Sequence, residues 1–251
     1  MVTLVDASDL VGLQRMVKSP AKVVYMRRAG EMADAAALAV AEAAAPGVDE
    51  NIVELAASSA ALSRGGEIPL AKVILSWGPH AMLTRVACGF RTLQPGDQLT
   101  CEWAGIYRRY HAGIFRTYSI APASQRHLDL FAVTHEPLDA MTLAARPDEP
   151  IGNIDREHRH VFDAHGYETQ RRSTAGYSVG AAFPPKALPD APPLLYADNL
   201  MIAEPGMTFF LHAVFSDADT GDAMMLGHTV LITETGKEIL NKIACEYPEC
   251  L

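Results

Sequence analysis

Apolar positions recur at helical spacing in the first quarter of the chain and at strand spacing after it. Residues 2–17 alternate loosely and read as a short lead-in strand followed by a turn of helix. Ser19 then offers an N-cap and Pro20 a first helical position, opening an Ala-rich helix over 20–45 that Pro46-Gly47 closes. Val23, Met26, Ala33, Ala37 and Val40 fall on one face of it, together with Gly30, whose missing side chain admits a close neighbour. A second helix is expected from Asp49, with Ile52, Leu55, Ala56 and Leu62 inward, ending at Gly65-Gly66. Strands follow at 70–75, 99–104 and 107–120, the second after the turn Gln94-Pro95-Gly96-Asp97. Helices over 123–146, broken or kinked at Pro137, and 153–165 come next. The strand pair 208–215 and 224–233, joined by a hairpin loop at 217–222, closes the pattern. Paired helices separated by antiparallel strands make an α+β arrangement, not a run of βαβ units.

Composition narrows the function. Half of the 251 residues are hydrophobic, enough for one sizeable core. A net charge of -9 argues against a nucleic-acid groove, which needs clustered positive charge. No apolar run approaches the length of a membrane span, and no basic and apolar leader opens the chain. A cytoplasmic protein with no membrane or nucleic-acid partner is expected. The four cysteines, Cys88, Cys101, Cys245 and Cys250, contain no CxxC pair and read as reduced, mostly buried thiols.

Several motifs then occur in a set order. Lys18-Ser19-Pro20 is followed by Ser76-Trp77-Gly78-Pro79, Gln94-Pro95-Gly96-Asp97, Arg116-Thr117, Gly176-Tyr177-Ser178-Val179-Gly180, Glu204-Pro205-Gly206-Met207 and the stretch from Thr229 to Gly236. This order resembles the catalytic domain of the pita-bread (creatinase/aminopeptidase) family. The resemblance implies two pseudo-symmetric αβ halves with curved antiparallel sheet around a cleft. It also implies one domain over 1–251, with 1–17 leading in and the N-terminal domain of larger relatives absent. Family peptidases hold two metal ions with two Asp, one His and two Glu. Those positions fall here on Glu102, Gly113, Tyr177, His212 and His228. One carboxylate cannot offset two divalent ions, so no cofactor is expected. The chain is instead similar to the metal-free branch of creatinase and ectoine hydrolase, with Phe183-Pro184-Pro185 as a further likeness.

The resemblance places the candidate site residues. Glu102, His111, His212 and His228 are the expected catalytic groups, and Arg85, Arg116, Tyr177 and His80 the expected substrate-binding ones. Glu102 is read either as a general base or as the ion-pair partner of Arg85 or Arg116. Glu102, His212 and His228 could alternatively hold a single metal ion. Arg116 either clamps a carboxylate or braces the sheet. A phenol at Tyr177 could donate to a developing oxyanion. The cleft imidazoles, beside Glu102, are expected to relay a proton, with at least one titrating at or slightly above its ordinary value. His127, His135, His158, His160 and His165 are expected on solvated helix faces. Tyr107-Arg108-Arg109-Tyr110 is a hairpin turn with solvated arginines or a site of anion recruitment. The function expected is metal-independent hydrolysis of a C–N bond in a small-molecule substrate by a homodimer. A non-catalytic ligand- or peptide-binding module is the alternative, and a peptidase relative with an altered single-metal site is the third reading.

Overall fold

The computed structural model describes residues 4–7, 10–68, 74–78, 81, 89, 91–183 and 194–250. Helix α1 (Leu10–Met16) stands where a lead-in strand and helical turn were expected. Helix α2 (Pro20–Ala43) starts with Pro20 in its first turn, and Ser19 caps it without a side-chain hydrogen bond. The five apolar positions read from its spacing are all buried. Gly30 takes the close approach expected of it, against the backbone of Leu240. Helix α3 (Glu50–Leu62) begins at Asp49, whose side chain accepts from the Asn51 N–H.

The inward face of α3 is not the one expected. Val53, Ala57 and Ala61 are buried, whereas Ile52, Leu55 and Leu62 are exposed. Small residues at i, i+4 and i+8 let α3 lie close to the alanines of α2, and that contact outweighs burial of the larger side chains. Helix α4 (Gln125–Ala144) runs through Pro137 unbroken, and Pro137 is buried. Helix α5 (Gly152–Ala164) ends at His165.

Strands β1 (Ile74–Trp77), β2 (Gln98–Tyr107), β3 (Tyr110–Ile120), β7 (Thr208–Ser216) and β8 (Ala223–Thr233) form the body of the sheet. Short strands β4 (Arg171–Arg172), β5 (Gly176–Ser178), β6 (Leu194–Leu195), β9 (Gly236–Ile239) and β10 (Glu249–Cys250) add to it. The order is β1-β2-β3-β8-β7-β5-β6, with β10 on β3, β4 on β7 and β9 on β8. Helix α2 lies on β2 and β3, with α3 packed on α2, over a core containing Leu99, Trp103 and Ile114. Helix α4 lies on β7 and β8, with α5 packed on α4, over Phe162, Phe209 and Phe215. Each such side chain contributes roughly 1.5–3 kcal/mol relative to exposure, so two helix-side cores hold the two halves to one sheet. A third cluster packs Phe115, Phe210, Val214 and Met225 of the inner face with Val23 and Met26 of α2. The seam is the β3–β8 pairing, where Phe115 stands opposite Gly227. Arg108 and Arg109 form the β2–β3 turn with φ of 50° and 68°. Among the described residues no helix is long and apolar enough to cross a membrane.

Candidate active site

Strand alternation decides which side chains can meet. Leu99, Cys101, Trp103, Ile114 and Tyr118 enter the helix-side core. Their neighbours Glu102, Gly113 and Phe115 therefore lie on the inner face. Phe209, Leu211, Ala213 and Phe215 enter the other helix-side core, which leaves Phe210 and His212 inward. Pairing joins the inner residues into one row, with Glu102 opposite Phe115, Phe115 opposite Gly227, and Gly227 opposite His212. A carboxylate and an imidazole thus end a row whose middle is a ring and a glycine. Three inter-strand steps, roughly 14 Å, separate their backbones.

His212 is held by rings. Phe115 stacks on it at 5.4 Å, and Phe210 and Tyr177 approach at 5.3 and 5.7 Å. Its backbone N–H donates to the Ala175 carbonyl at 3.0 Å, while its Nδ1 is buried with no hydrogen-bond partner among the described residues. Burial pushes its pKa down to about 3, and His158 behind it adds to the effect. The imidazole is therefore neutral at pH 7. Tyr177 pairs with Phe210 on β5, which sets its ring 5.6 Å from that of Phe210.

The structure does not bring the other expected residues into this group. His228 pairs with Leu211, a helix-side residue, so it points away from His212. It stands 2.8 Å from the Thr142 hydroxyl on α4. Thr142 gives its own proton to the Leu138 carbonyl, so His228 must be the donor, from Nε2. Burial, with Arg116 nearby, lowers its pKa to about 3. Register corrects the expectation by one residue: the inner face of β8 carries Gly227 here. Arg116, opposite Cys101, also lies on the helix side. It donates to the carbonyls of Phe115 and Gly227 at 2.8 Å and to Ile243 at 3.5 Å. Bracing, not substrate clamping, is what it does.

His111 keeps the inner face but sits four residues, roughly 13 Å, along β3 from Phe115. Its Nδ1 lies 3.3 Å from the Gly180 carbonyl, and its Nε2 is buried without a partner among the described residues. Burial lowers its pKa against the raising effect of that hydrogen bond. All three histidines thus shift down, against the upward shift expected near Glu102, because they are dry and no carboxylate touches them. His80 and Arg85 lie outside the described residues, as does Cys88.

Two features behind the row gave no sequence signal. His158, expected on a solvated face, is fully buried. Its Nδ1 is 3.6 Å from Asp155, a contact longer than a hydrogen bond. Burial alone would raise Asp155, but His158, Arg159 and the Ala175 N–H bring it down to about 2. Asp155 accepts from that N–H at 3.0 Å, and the Ala175 carbonyl accepts from His212. The second feature is the Phe210 ring, which seats against both inner glycines. A Cβ on Gly113 would lie 2.8 Å from it, and one on Gly227 3.1 Å.

That ring bears on whether these residues suit a metal pair. Where the pita-bread resemblance places carboxylates, the inner face carries glycine covered by Phe210, and one Glu, one Tyr and one His remain. Among the described residues no group of three His, Cys, Asp or Glu could hold an ion. The residues do not fit a dinuclear centre. The single-ion alternative fails as well, because His228 is on the opposite face from Glu102 and His212.

The profile of metallopeptidase family M24 matches residues 24–234. The chain is 29% identical over 243 residues to the uncharacterized hydrolase/peptidase y4tM of Sinorhizobium fredii, covering 95% of this chain and 61% of that protein. It is 26% identical to the ectoine hydrolase of Halomonas elongata, covering 94% of this chain and 60% of that protein. The chain thus spans about three fifths of the length of these relatives. Among solved structures it resembles the dipeptidase PepE of Mycobacterium ulcerans, with TM-score 0.90 and 25% identity over 99% of this chain and 65% of that one. The prolidase of Pyrococcus furiosus gives TM-score 0.86 at 21% identity over 94% of this chain and 68% of that one. The fold is that of the pita-bread enzymes.

Proposed function

We propose, from the premise that the chain belongs to metallopeptidase family M24, that it hydrolyses a C–N bond in a small polar metabolite with side chains in place of a metal pair. The observation that carries the reading is the inner-face row from Glu102 through Phe115 and Gly227 to His212. Glu102 takes a proton from water as the oxygen attacks an amide or amidine carbon. The C–N bond then breaks, and the proton passes to the departing nitrogen. His212, neutral and ring-packed, orients the substrate by hydrogen bonding through its buried Nδ1. Tyr177 donates to the oxygen that gains charge. The likeness to an ectoine hydrolase supports a cyclic amidine as the substrate class, and the likenesses to dipeptidases support an amide.

The test is a turnover screen of cyclic amidines, N-acyl amino acids and Xaa-Pro dipeptides, with and without chelator. On the substrate found, Glu102→Gln is expected to lower kcat by about 100- to 10,000-fold, with unchanged circular dichroism. Turnover abolished by chelator and restored by two equivalents of a divalent ion would overturn the metal-free part. Saturable binding of these compounds without turnover would make the protein a binding module.

A further inference from the structure

The hairpin tip that sequence reading left open between a solvated turn and an anion site closes one side of a second pocket. This pocket, about 370 Å³, lies on the helix-covered side of β2. Arg28 and Met32 of α2, Arg64 and Gly65 at the end of α3, and Glu67, Tyr107 and Arg108 line it. We propose that it binds the dianionic phosphate group of a small molecule.

Three guanidiniums line one pocket in a chain whose net charge is -9. The nearby carboxylates are already matched: Glu31 pairs with Arg28 at 2.5 Å, and Glu67 with Arg109 at 3.2 Å. Arg64 and Arg108 have no carboxylate partner among the described residues. Arg64 is steadied by donating to the Ala60 carbonyl at 2.9 Å through one nitrogen of its fork. Arg108 and Arg109 both sit in the left-handed region, with φ of 50° and 68°. Asn-Gly serves such a turn at far lower steric cost, so paired arginines indicate a use for the side chains. The walls are tied together, because Glu67 donates its N–H to the Ile106 carbonyl at 3.0 Å and Tyr107 packs on Tyr25 at 5.9 Å. Planar guanidinium forks match phosphate oxygens in pairs, and the volume exceeds that of one oxyanion, leaving room for a small organic group.

The test titrates inorganic phosphate and glycerol 1-phosphate into the full chain by calorimetry at constant ionic strength. Saturable binding is expected, weakened at least about tenfold by Arg108→Gly and by Arg64→Ala. Arg108→Gly suits the turn's backbone, so loss of binding there cannot be ascribed to unfolding. Tighter binding of the ester identifies a phosphorylated metabolite, and equal binding identifies free phosphate. Absence of saturable binding in the wild type overturns the proposal. So does wild-type affinity in both variants, or equal weakening by the remote Arg172→Ala.

Discussion

The two faces of the central sheet carry similar residues and use them in opposite ways. The helix-side face has a glycine, an arginine and a histidine in Gly105, Arg116 and His228. Gly105 admits the α2 backbone, Arg116 donates to carbonyls, and His228 bonds to Thr142. The inner face has Gly113, Gly227, Glu102 and His212. There Gly113 meets the buried Phe210 ring, Gly227 meets the Leu211 carbonyl as well as that ring, and His212 retains a buried nitrogen without a partner among the described residues. Residue type alone does not separate a structural histidine from a site histidine. Strand parity does, since one step along a strand exchanges the faces.

The sharpest way to break this comparison is a methyl group on each face. In Gly105→Ala the new carbon would lie 2.1 Å from the Ala29 carbonyl oxygen and 2.3 Å from the Ala33 nitrogen, both backbone atoms. The helix must move, so we expect a loss of roughly 3 kcal/mol or more by urea unfolding. Acid should come next. His212 and His228 titrate at about 3 in the folded chain but near 6.5 when unfolded. Above that value they do not affect stability. As pH falls below it, the unfolded chain binds protons that the folded chain refuses, so stability declines towards pH 3. Each histidine should cost about 2 kcal/mol at pH 5. His212→Phe and His228→Gln are each expected to remove one such slope, while only His212→Phe impairs turnover. Equal loss of turnover in both would end the distinction between the faces. The smallest effect is expected for Gly113→Ala, roughly 1 to 2 kcal/mol, because the atoms it meets belong to the buried Phe210 ring and not to backbone. A cost matching Gly105→Ala would show the inner face to be equally rigid.

Much of the fold was legible because its helices announce themselves. Ser19-Pro20, Asp49 and the two turns before β2 and β8 mark boundaries through local chemistry that needs no tertiary partner. The face of α3 was not legible, since small-on-small packing against α2 hides behind larger apolar residues that stay exposed. The placement of the candidate site residues was half legible. Glu102, Tyr177 and His212 lie on the inner face as the motif order implied. His228 missed by one residue because every position of β8 from Ala223 to Ile232 is buried, so no polar alternation reveals its register. His158 missed because a histidine in a helix reads the same whether its side faces water or a buried Asp155.

The row that joins Glu102 to His212 also crosses the β3–β8 seam, and this has a consequence for biogenesis. Glu102 belongs to the first half of the chain and His212 to the second, and β8 stands between them in the sheet. A nascent chain can assemble α2, α3, β2 and β3 early, but it holds only one end of the row. Strands β7 and β8, which complete it, follow only after α4 and α5, and their pairing with β3 spans a large loop that closes slowly. The row therefore forms only once β7 and β8 have joined β3, and neither half cut from the other holds both of its ends.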